Sequence, residues 1–257
     1  MEAQGPRDRL KDRRLARVPY DSESVRALFD DMASTYGHVN LISSFGFTAR
    51  WRHQVVAGLP LASAECVIDL MSGMGELWRS LALLPASAHV VAVDFSSEMV
   101  QRARRTRHFT VDVREADALT WVFPPSTADI IVSSFGLKTL DREQQRQLAE
   151  RVAGWLKPGG SYSFVEISVP SSRPLRSLYM FYLRRVIPLI GRFFLGNAQS
   201  YRMLGVYTAA FQNSAHFASC LAQAGLVSVP VSYFFGCATG VRGRKPLAIG
   251  TRASAGS

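Results

Sequence analysis

From residue 65 onward, continuous apolar runs alternate with stretches of helical periodicity. "ECVIDL" (65–70) is unbroken, as in a strand covered on both faces. "ELWRSLALL" (76–84) has helical spacing, "AHVVAVDF" (88–95) reads as a second strand and "SEMVQRARRT" (97–106) as a second helix. "HFTVDV" makes a third strand and "ADIIVSSF" a fourth, with "DREQQRQLAERVAGWL" as the helix that follows. "KPGG" (157–160) reads as a turn before a fifth strand, "SYSFVEIS". A helix at "NSAHFASCLAQAG" then leads to two final strands, "LVSVPVSYFF" and "KPLAIGTR", as a hairpin at the sheet edge. This order predicts a doubly wound, mostly parallel sheet of seven strands in an α/β fold.

The regions outside that rhythm are equally patterned. Residues 1–20 mix both charges without an apolar core and predict a basic arm, not a signal peptide. Asp21 and Ser22 cap a helix carrying Val25, Leu28, Phe29 and Met32 on one face, and "SSFGF" (43–47) breaks it from "ARWRHQVVAGL". Residues 21–257 are expected to form one domain. Residues 171–210 interrupt the alternation as an inserted helical lid, which Pro188 and Gly191 divide into two short helices. No run approaches the about 20 apolar residues that span a bilayer.

Charge sharpens the picture. The chain has 30 Lys and Arg against 20 Asp and Glu, and no acid follows Glu166. The whole excess therefore lies in the C-terminal third, from Arg173 to Arg252, which points to an anionic partner such as a membrane surface, a nucleic acid or an acidic substrate. Within 175–196, Leu178, Tyr179, Phe181, Tyr182, Leu189 and Phe193 supply apolar surface beside Arg184, Arg185 and Arg192, the composition of an interfacial segment. A dimer interface is the other use of such a face. No nucleic-acid-binding motif accompanies the arginines. Cys66, Cys220 and Cys237 lack metal or disulfide spacing and fit a reducing compartment.

The candidate chemistry sits at the strand ends. Gly73 and Gly75 lie in the turn after Asp69, but Trp78 stands where a dinucleotide fingerprint needs a third glycine, so NAD is disfavoured. Asp94 ends the second strand 19 residues after Gly75, where a carboxylate can accept from both ribose hydroxyls of an adenosine. Glu115, at the end of the third strand, is placed to accept from an adenine amino group.

"LFDDMASTYGHVNLISSFGF", "VIDLMSGMGEL", "SSFGLKTL", "WLKPGG", "FVEIS" and "NAQSYRML" together resemble the ubiquinone/menaquinone C-methyltransferase family. The resemblance spans roughly residues 25–250. It implies a class I S-adenosylmethionine (SAM) methyltransferase fold, SAM as cofactor and a polyprenyl quinone as substrate. It also implies a cytoplasmic enzyme held peripherally at the inner membrane, with a homodimer open. SAM would be held by Asp69, Gly73, Gly75, Glu76, Asp94, Phe95, Glu115, Ala116 and Ser134. Tyr36, Asn40, Asn197 and Tyr201 match positions near the substrate, and His38 is a candidate base.

The loop departs from the family's usual "DLAGGTGDL" through Met71, Ser72, Met74 and Glu76, and family acids are missing after Tyr36 and at "NAQSY". These departures resemble a divergent rhodoquinone-forming branch, in which SAM donates an amino group that replaces a ring methoxy of ubiquinone. That branch implies manganese assistance. Hard oxygen ligands suit that cation, and Glu76, Asp94 or Glu115 are available, but spacing assigns no metal site. Ordinary methyl transfer is the alternative.

Overall fold

The computed structural model describes residues 18–35, 44–106, 111–193 and 197–247. A seven-stranded sheet runs in the order β3-β2-β1-β4-β5-β7-β6. The strands are β1 (Cys66–Leu70), β2 (His89–Asp94), β3 (Val111–Glu115), β4 (Ala128–Ser134), β5 (Leu156–Ile167), β6 (Val227–Tyr233) and β7 (Ala238–Arg244). All neighbours pair in parallel except β7, which runs antiparallel between β5 and β6. Val67 to Leu70 are all buried because helices cover both faces of β1. Strand order reverses between β1 and β4, and a crevice opens beyond their carboxyl ends.

The helices are α1 (Ser22–Met32), α2 (Phe47–Val56), α3 (Ser97–Ala103), α4 (Arg142–Trp155), α5 (Arg173–Phe181), α6 (Ile187–Phe193), α7 (Ala198–Phe211) and α8 (Ala215–Gln223). One face of the sheet packs on α4 and α8 through Leu148, Val152, Trp155, Phe217 and Leu221. The other packs on α2 and the cofactor turn through Trp51, Val55, Trp78 and Leu81. A third cluster joins α1, α3 and α7 around Met32, Met99, Tyr201 and Tyr207. Asp21 caps α1 by accepting from the Ser24 N–H at 2.8 Å. Of residues 1–20 only 18–20 are described: the Tyr207 hydroxyl donates to the Pro19 carbonyl, and the Tyr20 ring packs edge-on against Tyr207.

Four expectations change. The run after the glycine turn forms only a short 3-10 turn, Trp78–Leu81, because Trp78 folds back under the loop to donate to Asp69. "KPGG" lies within β5, and its turn chemistry survives as an irregularity. Pairing jumps from Ala128–Leu156 to Ile130–Ser161, with Gly159 at φ +81°. The hairpin partner of β6 is β7, which pairs with both β5 and β6, while of "KPLAIGTR" only residues 245–247 are described, and they carry no strand. Finally, the lid is not divided at Pro188 and Gly191. A π-helical turn at Tyr182–Val186 links α5 to α6, with the Ile187 N–H reaching the Tyr182 carbonyl, and this looser ladder absorbs the proline just after it. Gly191 is there for contact, since a Cβ would stand 2.4 Å from Cδ2 of Tyr201.

Candidate functional site

Two cavities meet at the carboxyl ends of β1 and β4, and Phe135 lines both. The first is a cleft of about 800 Å³ between the glycine loop, β2, the β3 end and α1. Gly73, Glu76, Asp94, Phe95, Ala116 and Ser134 line it, so six of the sequence-assigned cofactor residues come together. Asp69 and Gly75 stand behind the loop and build it. Gly75 has φ +83°, and a Cβ there would stand 2.5 Å from the Trp78 ring. Asp69 is buried, with Oδ2 accepting from Trp78 Nε1 at 3.0 Å and Oδ1 unpartnered. Burial pushes its carboxyl up to about 8, against the opposing pull of the Trp78 N–H.

Asp94 shapes the loop and faces the cleft. Its Oδ2 accepts from the Gly73 N–H at 2.7 Å and its Oδ1 from the Ser96 N–H at 2.9 Å. Burial pushes this carboxyl up to about 6, the two amides opposing and the Glu76 and Asp30 charges adding. Each oxygen keeps a lone pair for a further donor.

Glu115 is the sequence-assigned residue that the fold turns away. It is exposed and does not line the cleft. The acid that does is Asp117, two residues on, held by the Ser22 hydroxyl at 2.8 Å and the Leu119 N–H at 2.9 Å. Ala116 passes its N–H to the Asp94 carbonyl, which extends β3 pairing past Glu115 and swings the next side chain inward. The signal was in "EADAL", where the second acid alone can turn back from the strand end.

Sequence reasoning also missed Arg52. This α2 residue lines the cleft with its guanidinium 5.0 Å from the Phe135 ring centroid.

The second cavity, about 1520 Å³, lies between α2, the lid and α7. Its walls are apolar, among them Trp51, Leu175, Leu183, Ile187 and Leu204, and none of its described lining residues is an Asp or Glu. Among its described lining residues the one charge is Lys138, in the 3-10 turn after β4. Its Nζ donates to Glu166 Oε1 at 2.9 Å and to the Phe135 carbonyl at 2.6 Å, and its N–H donates to Glu166 Oε2 at 3.0 Å. An ammonium has three donors, so one is left for the chamber. Phe45, Leu178, Tyr182 and Phe234 line the same chamber, and Phe45 and Leu178 are 81% and 68% exposed, which marks its mouth. Phe45, Phe234 and Phe235 all have positive φ, a strained conformation that turns these loop tips outward.

Tyr36, His38 and Asn40 lie outside the described residues. Asn197 is exposed and caps α7 by accepting from the Gln199 N–H. Tyr201 is fully buried, packs on Gly191 and shares a 2.8 Å hydrogen bond with Thr35, so it braces the lid without lining either cavity. Among the described residues, no three His, Cys, Asp or Glu side chains converge as a metal-binding group. Glu76, Asp94 and Glu115 do not form one.

The fold is that of class I SAM-dependent methyltransferases. Two solved structures share this fold. Human N-acetylserotonin methyltransferase in complex with SAM has a TM-score of 0.56 at 20% identity, over 89% of this chain and 60% of that one. Magnesium protoporphyrin IX methyltransferase of Synechocystis has 0.57 at 16% identity, over 87% and 98%. The chain belongs to the ubiE/COQ5 methyltransferase family, whose model matches residues 17–245. It is 34% identical to the demethylmenaquinone methyltransferase of Lactiplantibacillus plantarum, over 86% of this chain and 96% of that one. It is 31% identical to the ubiquinone/menaquinone biosynthesis C-methyltransferase of Geobacter sulfurreducens, over 92% and 95%.

Ribose hydroxyls donate to an ionised carboxylate but compete with the proton of its acid form. SAM affinity should therefore fall as pH is lowered through about 6, where Asp94 titrates. Asp94→Asn should flatten that dependence in calorimetry across about pH 5–8. An unchanged slope in the variant would remove Asp94 from the ribose.

The two acids at the end of β3 should separate cleanly. Asp117→Ala should weaken SAM binding by about tenfold or more, the worth of a hydrogen bond to a charged acceptor, whereas Glu115→Ala should leave it unchanged. The reverse ranking would restore the sequence assignment.

Proposed function

We propose that this protein methylates a ring carbon of a polyprenyl quinone precursor, using SAM. The observation that carries this is the junction of the two cavities at Phe135, one a polar cleft at the strand ends and the other a large apolar chamber. SAM, when bound, supplies an electrophilic methyl at its sulfonium. The chain does the rest. The chamber walls exclude water and take an apolar ring and the start of its tail, whose remainder leaves between the Phe45 and Phe234 tips and α5. Lys138 presents its free N–H beside Phe135. A ring hydroxyl of the reduced quinone that gives its proton to water in the polar cleft becomes an oxyanion stabilised by the ammonium, which raises the nucleophilicity of the adjacent ring carbon, and the ring C–H proton leaves to the same water once the carbon is methylated. Glu166 has both oxygens engaged and keeps Lys138 aimed rather than acting as the base. The relatives named for quinone C-methylation support the same reading.

Amino transfer from SAM is the second reading, and Met71 favours it. Met71 lies in the cleft at φ +53°, and a Cβ on Gly136 would stand 2.6 Å from its Sδ. Its thioether thus fills space between the β1 and β4 ends, beside the junction where a methyl donor must approach the ring. The deciding measurement uses SAM labelled separately at the methyl carbon and at the amino nitrogen. We expect the methyl label in the quinone product. Nitrogen label with loss of methoxy would overturn methyl transfer in favour of the rhodoquinone-forming reaction.

The proposal includes peripheral membrane association through the chamber's mouth. Phe45, Phe181, Phe193 and Phe235 are exposed there or on the adjoining lid, with Arg184, Arg185 and Arg192 beside them. Among the described residues no helix is long and apolar enough to cross a membrane. Each basic side chain near an anionic surface contributes about 1 kcal/mol, screened by salt. Flotation with phosphatidylglycerol vesicles should weaken in high salt and in Arg184→Glu/Arg185→Glu. Equal flotation throughout would exclude this surface.

A further inference from the structure

The apolar chamber holds a hydroxyl that its own contacts leave under-used. Tyr179 comes from α5, lines the chamber and packs on the cluster around Trp51 and Val165. Its hydroxyl donates to the Cys237 carbonyl at 3.3 Å, longer than the about 2.5–3.0 Å usual between two oxygens. The same carbonyl accepts from the Ser168 N–H at 2.9 Å, so it does not depend on Tyr179. Burial holds the phenol well above its usual value, with Cys237 and the Glu166 carboxylate adding. Tyr179 is therefore a neutral hydroxyl whose proton points at a carbonyl and whose oxygen can still accept.

The other polar groups described on the chamber wall are bonded among themselves or lie elsewhere. Thr208 Oγ1 donates to the Leu204 carbonyl at 2.8 Å, and the Ser44 and Thr48 hydroxyls share a 2.9 Å bond. Tyr182 stacks on Phe45 at the mouth. Burial pushes the Cys237 thiol up to about 11, and a thiol is a weak partner. Tyr179 instead stands at the ends of β5 and β7, beside Lys138. The carbonyl it touches is bonded to Ser168, just past Glu166, and Glu166 is the carboxylate that holds Lys138. The ammonium can only donate, and the Tyr179 oxygen, with its proton committed, is set to accept.

We propose that Tyr179 binds the second ring hydroxyl of the substrate, para to the oxygen that Lys138 takes, by accepting a hydrogen bond from it. The inference rests on the quinone reading and adds a specificity-determining residue to it. A half-ionised hydroquinone carries one oxyanion and one hydroxyl, and the wall offers it one donor and one acceptor. The new bond completes a chain from the ring hydroxyl through Tyr179 to the Cys237 carbonyl, in which each link strengthens the next. An oxidised ring has two carbonyls and no proton to give Tyr179, so the same side chain discriminates against it. Because Tyr179 belongs to α5, a bound ring also ties the lid to the sheet.

The test is titration calorimetry on the full chain, without oxygen, with a prenylated para-hydroquinone lacking the ring methyl and the matching phenol in which hydrogen replaces the second hydroxyl. The unmodified protein should bind the hydroquinone about three- to tenfold more tightly, the worth of one hydrogen bond. Tyr179→Phe keeps the packed ring and should erase that preference while changing phenol affinity by less than about twofold. The oxidised quinone should be equally insensitive to the substitution, and a fall in its affinity would overturn the accepting role. Equal affinity of the unmodified protein for hydroquinone and phenol would overturn the assignment without any variant and leave the quinone reading standing. A Tyr179→Phe protein that keeps the preference, or loses both ligands equally, would overturn it too. An unmodified protein that binds neither ligand would overturn the quinone reading and the Tyr179 assignment together.

Discussion

The buried ion pair between Lys138 and Glu166 ties the turn after β4 to the end of β5. Through it the Phe135 carbonyl, the Lys138 N–H and both Glu166 oxygens are satisfied in one network. Removing one partner from such a pair leaves an uncompensated buried charge, which costs about 3–5 kcal/mol. The pair also sets the partition. Phe135 has φ +68° and stands between cleft and chamber because the residues on either side of it are held. A neutral network would hold the turn as well, but it would not put a cation on the wall of an apolar chamber.

The glycine loop shows how one site shares strain with its neighbours. Met71 adopts a left-handed conformation that costs a non-glycine residue about 1–2 kcal/mol. The cost is met by a tightly stitched surround. The Ser72 N–H reaches the Val93 carbonyl, the Gly73 N–H reaches Asp94, and Met71 itself packs down on Gly136. The loop that lines the cleft thus borrows its shape from β2 and β4, and Asp94 holds it with both oxygens.

The lid carries the same logic to the surface. Its inner face is fixed by Leu183, Gly191 and the buried Tyr201, and its outer face leaves Leu178, Phe181, Leu189 and Phe193 exposed among arginines. Opposite it, the tips at Phe45 and Phe235 hold aromatic rings outward in strained backbone.

Much of this was legible in the chain. Continuous apolar runs located β1, β2 and β4, because a strand buried on both faces is apolar over most of its length. Asp94 and the two glycines were found because local geometry ties them to a strand end. Where the sequence misled, the deciding contact was distant. Glu115 and Asp117 are both acids after β3, and only the β2 pairing and the Ser22 hydroxyl choose between them. Tyr201 and Asn197 read as site residues until packing gave one to the core and the other to a cap. "ATGVRGR" does not read as a strand, because only its pairing with β5 and β6 makes it one. The sequence by itself determined which strands are buried, where the glycine turn falls and where positive charge collects, because those follow from local periodicity and composition. Only the tertiary structure decided which acid faces the cleft, that Arg52 reaches it, and that Lys138 charges the chamber wall. Those outcomes depend on side chains far apart in the chain competing for the same buried partners.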